Sequence, residues 1–95
     1  MTAERIADLL DPALRGLGVR GRVREEQLRE ALHDIVGPQL AAMCRADRLE
    51  RGALVIATAN TALSHQLQMD AASLIAALNE RVGPAVVKRL RFIPL

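Results

Sequence analysis

Apolar residues recur at three- and four-residue spacing over much of the chain, and this pattern predicts three helical stretches. The first begins near Thr2 as its N-cap, and Asp11 with Pro12 interrupts it. The second begins near Val23 and breaks near Gly37. Their apolar positions are Ile6, Leu9, Leu10, Leu14 and Leu17 in the first and Leu28, Ala31, Leu32, Ile35 and Val36 in the second. Each apolar stripe is expected to face a common core.

The third helical stretch follows Asn60 or Thr61, either of which can cap it. Asp70 can cap a second start, which would divide the stretch into two helices. Gly83 and Pro84 end it. Its apolar positions are Leu63, Leu67, Ala71, Leu74, Ile75, Leu78 and Val82. The spacing of these residues predicts that this stretch also packs on the core.

Three strands are predicted, two of them between the second and third helical stretches and joined by a tight turn at Arg51 and Gly52. The first, Ala46 to Glu50, is poorly patterned and is expected to be partly exposed. The second, Ala53 to Ala59, is apolar on both alternating faces, which is typical of a central strand. The third lies in the β-branched run AVVKRLRFI. Its faces carry Val86, Leu90 and Phe92 on one side and Val87, Arg89, Arg91 and Ile93 on the other.

In chain order these elements predict an α+β domain, ααββαβ, whose three-stranded sheet packs on the helices. The 95 residues fit one domain, 1–95. At that size folding buries only about 60–65 % of the surface that the unfolded chain exposes, so the core is expected to be small. The single cysteine excludes an internal disulfide, and no apolar run reaches membrane length. These features favour a cytoplasmic protein.

Several apparent motifs fail on their context. Gly16, Gly18 and Gly21 have the GxGxxG spacing, but a helix precedes them where a dinucleotide site needs a buried strand. Glu25 and Glu26 are predicted in the first turn of the second helix, where they favour the helix dipole. The scattered candidates for a metal or nucleophile set are Cys44, His33 and His65. Because these three lie on three different elements without ligand spacing, no metal, cofactor or catalytic site is predicted.

Basic residues are the better candidates for chemistry. The residues predicted to contact phosphates are Arg20, Arg22 and Arg24 around one loop, Arg48 and Arg51 at the first strand, and Lys88, Arg89 and Arg91 toward the C-terminus. Arg89 and Arg91 alternate with core positions, so both project from one side of a strand, where a phosphate can bridge them. The alternative is a solvated surface that acidic neighbours partly neutralise, since the net charge is only +2.

The chain has almost no aromatic side chain on which a base could stack. Phe92 is the only aromatic residue, and its place in the strand pattern predicts that it is buried. Any nucleic-acid binding is therefore expected to be electrostatic, weak in sequence preference and strongly salt dependent.

A family resemblance lies in the order and spacing of four short segments. They are LREALHDIVGPQLA, RLERGALVIATANTALSHQL, AALNERVG and VVKRLRFIPL. In this order they resemble the DciA family of bacterial proteins that assist the replicative DnaB helicase. The resemblance runs from Ile6 to Ile93 and implies a KH-like fold. Family members commonly carry tryptophan where this chain has Leu32 and Leu63. A KH-like fold does not by itself imply KH-type RNA reading.

The resemblance also implies a function. It is that of a non-enzymatic accessory protein of DNA replication, which binds the DnaB-type helicase and sequence-nonspecific DNA, promotes helicase loading at initiation and works in the cytoplasm at the nucleoid. For helicase contact we expect an exposed part of the third helix around Leu63, Ser64 and His65. Many members carry a further extension, whose function we expect to be either missing or supplied elsewhere.

The alternative function is an oligomerising scaffold without DNA contact, formed by copies of this chain or with another protein. It rests on the apolar strand Ala53 to Ala59, where Val55 and Ala57 are expected to be half-exposed and to form an interface. DNA binding at two salt concentrations, together with sedimentation, separates these functions.

Overall fold

The computed structural model describes residues 21–95, and the predicted first helix lies outside them. The elements are α1 (Gly21–Val36), α2 (Pro38–Ala41), β1 (Cys44–Glu50), β2 (Ala53–Thr58), α3 (Thr61–Met69), α4 (Ala71–Val82) and β3 (Arg89–Pro94). The predicted α+β class and three-stranded sheet are confirmed, and the architecture is consistent with a KH-like domain. The predicted second helical stretch corresponds to α1 and α2, and the third to α3 and α4.

Strand β2 lies at the centre of the sheet, antiparallel to β1 and parallel to β3. The predicted turn between β1 and β2 is confirmed, with Arg51 at φ 49° and Gly52 at φ 81°, as a two-residue hairpin requires. A parallel neighbour needs a long crossover, which α3 and α4 provide. The Gly52 carbonyl accepts from the backbone N–H groups of Lys88 at 2.7 Å and Arg89 at 3.1 Å. These bonds fix the hairpin tip against the start of β3.

The predicted helix breaks are confirmed by local geometry. Gly37, at φ 89°, separates α1 from α2. Asn60 caps α3, because its side-chain oxygen accepts from the Leu63 N–H at 2.8 Å. A new helix, α4, begins after Asp70, although the carboxylate of this residue makes no capping hydrogen bond. Gly83, at φ 132°, ends α4.

The core lies between the helices and one face of the sheet. Leu28 on α1, Leu54 and Ile56 on β2, and Leu78 on α4 are each 0 % exposed. Leu32 and Leu63 belong to the same buried cluster. The two leucines at the family's tryptophan positions therefore pack in the core.

Helix α1 covers the outer edge of β1. Glu25 accepts from the Leu49 N–H at 3.0 Å, and Arg29 donates to the carbonyls of Ala46 and Asp47, each at 3.2 Å. The predicted place of Glu25 in the first helical turn is wrong, because α1 already begins at Gly21. Glu25 instead satisfies a strand N–H that would otherwise need water.

The third strand begins later than its β-branched sequence predicts. Val87 lies ahead of β3 and is buried, so its predicted position on the exposed face with Arg89 and Arg91 is wrong. The Asn79 side chain on α4 holds the Val87 backbone by two bonds of 2.8 Å, accepting from its N–H and donating to its carbonyl. This bidentate contact takes the Val87 backbone out of the strand and anchors the segment that leads into β3.

Replacing Asn79 with alanine is expected to lower the free energy of unfolding by about 2 kcal/mol, because both Val87 backbone groups lose their partner beside a buried side chain. Urea unfolding measures the change. Asn60→Ala, which removes one capping bond, is the matched comparison, with an expected loss of about 1 kcal/mol. A smaller loss for Asn79→Ala than for Asn60→Ala would contradict this account of the contact.

Candidate nucleic-acid interface

The sheet face opposite the core, called the open face below, forms a trough. Its residues in strand register are Arg45, Arg48 and Glu50 on β1, Ala53, Val55 and Ala57 on β2, and Arg89, Arg91 and Ile93 on β3. Small side chains thus form the floor along β2, and long, mostly basic side chains form both walls. Within residues 21–95 the helices pack on the other face, which carries Leu54 and Ile56.

The floor of the trough is buried. Val55 is 0 % exposed and Ala57 is 3 % exposed. The expectation that these two residues are half-exposed is therefore wrong. In register, Val55 lies between Arg48 and Arg91, and Ala57 lies between Arg45 and Ile93. Such long flanking side chains can cover a small central one with their apolar stems.

Glu50 connects the two walls of the trough. It accepts from Arg48 Nε at 2.5 Å, and its other oxygen lies 3.6 Å from a terminal nitrogen of Arg91. Because β1 and β3 flank β2, the pair between Glu50 and Arg91 crosses the central strand. Arg48 also donates to Asp47. The side chains of Arg48, Glu50 and Arg91 are 39 %, 46 % and 58 % exposed, so these pairs contribute little to stability but order the guanidinium groups.

The electrostatics of the open face follow from these contacts. The hydrogen bond from Arg48, assisted by the charges of Arg91 and Arg51, holds the pKa of Glu50 below its usual value. Pairing with Glu50, and then with Asp47, raises the pKa of Arg48. Glu50 is therefore ionised at neutral pH and faces fully charged arginines.

A shallow cavity of about 580 Å³ lies at the hairpin end of the open face. It is lined by Leu49, Glu50, Arg51, Ala53, Arg89 and Arg91. Three guanidinium groups against one carboxylate leave an excess of positive charge around a space floored by a small residue. Such a space suits an anion with several acceptor oxygens, because guanidinium groups donate in forks.

The predicted basic residues separate into two groups. Arg48, Arg89 and Arg91 lie on the open face, and Arg51 lies at the adjoining turn. Lys88 packs its stem over the same turn, where its Cδ would lie 3.0 Å from a Cβ at position 52.

The other group is on α1. Arg22 and Arg24 are exposed in the first part of this helix, so the prediction that Arg22 precedes the helix is wrong, and Arg20 lies outside the described residues. Sequence reasoning left Arg45 and Glu50 out of the site, although the spacing of Arg48 and Glu50 already placed both on one face of a strand.

The residues predicted for helicase contact lie in the helical layer. Leu63 is only 8 % exposed, and the Ser64 hydroxyl bonds to that of Thr58, so of the three only His65 meets the expectation of an exposed position. Leu63 nevertheless borders an apolar groove of about 450 Å³. Its lining is Ile35, Val36, Leu40, Leu63, Gln66, Leu67, Asp70, Ser73, Leu74 and Ala77. The groove lies on the helical side of the domain, away from the open face.

Other reactive groups are isolated. Cys44 lies at the corner between α2 and β1, where its Sγ donates to the Leu40 carbonyl at 3.3 Å and burial raises the pKa of the thiol. His33 is exposed on α1. Among residues 21–95 no group of three or more histidines, cysteines and carboxylates is placed to hold a metal ion. In the same part of the chain no helix has the length and apolarity needed to span a membrane.

Comparison with known protein families identifies the family of this chain. The family model described as Dna[CI] antecedent, DciA, matches residues 5–92. The chain belongs to the DciA family. The match includes the groove and all of the open face except Ile93, and it confirms the resemblance inferred from the four sequence segments. Membership of the DciA family ties the chain to the replicative helicase as an accessory protein. No curated protein gives a significant match to the chain.

Proposed function

We propose that this DciA-family protein binds both the replicative DnaB-type helicase and DNA and promotes loading of the helicase at initiation. The observation that carries the proposal is the separation of two surfaces, an arginine-walled trough on one side of the sheet and an apolar groove in the helical layer on the other. Two separate surfaces let one small domain hold a nucleic acid and a protein together. Such a protein acts in the cytoplasm, at the nucleoid.

DNA is proposed to bind along the open face through its phosphates. Arg89 and Arg91 lie two residues apart on β3, which separates their Cα atoms by about 6.6 Å along the strand. Arg48 faces them across β2, with Arg51 and Lys88 at the hairpin end. Phe92 packs against the core cluster, so the open face offers no aromatic ring for a base. Contacts of this kind give binding with little sequence preference.

The helicase is proposed to contact the first half of α3. His65 is exposed there, and Leu63 adds apolar surface from inside the groove. Leu40 and Met43, which are 39 % and 36 % exposed, extend the apolar surface on the α2 side. An apolar centre with polar neighbours, here Gln66 and Ser73 of the groove, is the usual composition of a protein interface.

The proposal is tested by two measurements on the purified protein. Fluorescence anisotropy with a labelled single-stranded oligonucleotide and its duplex, at 50 and 200 mM salt, is expected to show binding that weakens steeply with salt. Pull-down of the tagged protein from its native host is expected to enrich the replicative helicase. Failure of the folded protein to enrich the helicase would overturn the helicase proposal, and absence of DNA binding at low salt would overturn the DNA proposal.

The scaffold alternative loses its structural basis. It required Val55 and Ala57 to offer apolar surface, and both are buried. Sedimentation at several concentrations measures self-association independently of DNA.

A further inference from the structure

Glu50 holds an unusual position on the open face. Among the residues in strand register on this face it is the single acidic one, and it stands between the arginines of both outer strands. It also lines the cavity that Arg51, Arg89 and Arg91 surround. A carboxylate at this point places negative charge where an anionic ligand would have to bind.

The contacts of Glu50 are those that a phosphate would make. One oxygen accepts from Arg48 Nε, and the other lies near a terminal nitrogen of Arg91. A carboxylate and a phosphate present similar pairs of acceptor oxygens to a guanidinium group. Glu50 is 46 % exposed, so its side chain is free to turn into water when another anion arrives.

We propose that the Glu50 carboxylate occupies a phosphate-binding site on the open face of the free protein, and that a backbone phosphate of nucleic acid displaces it on binding. This inference rests on the proposed binding of DNA to the open face. Glu50 then acts as a resident counter-ion, which keeps the arginines ordered in the absence of DNA and lowers the affinity for DNA. Release of Glu50 adds an unfavourable step to binding, so affinity is limited by a residue of the site itself.

Glu50→Gln tests the displacement, because it removes the charge and keeps the size of the side chain. Binding of a labelled oligodeoxythymidylate, measured by anisotropy, is expected to tighten by about three- to fivefold at low salt, the scale of a surface ion pair. The dependence of log K on log salt is expected to stay close to that of the wild type, because displacement of the carboxylate leaves the same phosphate contacts in both complexes. Thermal melting verifies that the variant is folded.

Glu80→Gln is the matched control. It makes the same substitution at an exposed position on α4, away from the open face. This control is expected to leave the salt slope unchanged and to alter affinity only slightly. In an Arg48→Gln/Arg91→Gln background, Glu50→Gln is expected to have no effect, because the groups that hold the carboxylate are gone.

The outcomes separate this inference from the proposed function. If the wild type binds DNA and Glu50→Gln behaves like Glu80→Gln, the counter-ion inference is overturned while DNA binding stands. If Glu50→Gln weakens binding, the carboxylate supports the site, and the inference is overturned as well. If the wild type does not bind, the proposed DNA binding itself fails.

Discussion

Replacing Leu78 with alanine is expected to lower the free energy of unfolding by about 3 kcal/mol. Leu78 is 0 % exposed on α4 and belongs to the core cluster between the helices and β2. Truncation removes buried apolar contacts and leaves a cavity that the surrounding helices and sheet fill only in part. A domain of this size has a total stability of about 5–14 kcal/mol, so the loss is a large share of it. The midpoint of urea unfolding, with the slope unchanged, reports it.

Met69→Ala is the control for this prediction. Met69 ends α3 and is 78 % exposed, so removing a similar number of side-chain atoms is expected to change stability by about 0.5 kcal/mol or less. Equal effects of the two substitutions would show that α4 does not bury Leu78 against the sheet.

Much of the fold could be predicted from the sequence because its signals are local. Asn60 caps α3 with its own side chain, and Gly37 and Gly83 adopt positive φ where the helices stop. The turn at Arg51 and Gly52 needs only those two residues to define it. Elements specified by neighbours in the chain can be inferred without knowing the tertiary structure.

The errors concern contacts between distant parts of the chain. The β-branched run before β3 is typical of a strand, but Asn79 on α4 removes the Val87 backbone from the ladder. The sequence predicts that Glu25 interacts with the dipole of its own helix, but its carboxylate accepts from the Leu49 N–H on β1, 24 positions away. No local pattern encodes either partner, because each depends on how a helix packs against the sheet.

A β-bulge in β1 explains why strict alternation does not predict which residues of this strand share a face. Ala46 and Leu49 both face the core although they are three residues apart, which strict alternation forbids. The register shift between Ala46 and Arg48 inserts the extra residue, Asp47, and brings Arg45 and Arg48 to the same face. The poor pattern of this strand was therefore a sign of irregular pairing.

Part of the candidate site could be predicted because its signal is local. Alternation in β3 is enough to place Arg89 and Arg91 together, and the structure confirms that they share a face. That Arg48 lies across from Arg91, with Glu50 between them, requires the strand order and the parallel pairing of β3. Sequence patterns therefore predicted basic residues of both walls, and the tertiary structure adds that Arg48 and Arg91 face each other with Glu50 between them.

Reversing both charges on β3, Arg89→Glu with Arg91→Glu, is expected to weaken binding of single-stranded DNA by about tenfold or more at low salt, because two phosphate contacts become repulsive. The dependence of log K on log salt is expected to become shallower by about 1.4, since each lost contact removes about 0.7. Anisotropy titrations at several salt concentrations measure both quantities. Both residues are exposed, so the fold is expected to persist, which circular dichroism verifies.

Arg22→Glu with Arg24→Glu provides the matched control. Either double variant changes the formal net charge from +2 to −2, since two reversals subtract four charges. The control acts on α1, whose side chains cover the outer edge of β1, whereas Arg89 and Arg91 form a wall of the trough. If DNA follows the open face, the α1 variant loses only the long-range attraction due to net charge and retains the wild-type number of phosphate contacts. Equal losses of affinity and slope in the two variants would exclude the open face as the specific site and make net charge alone the cause of binding.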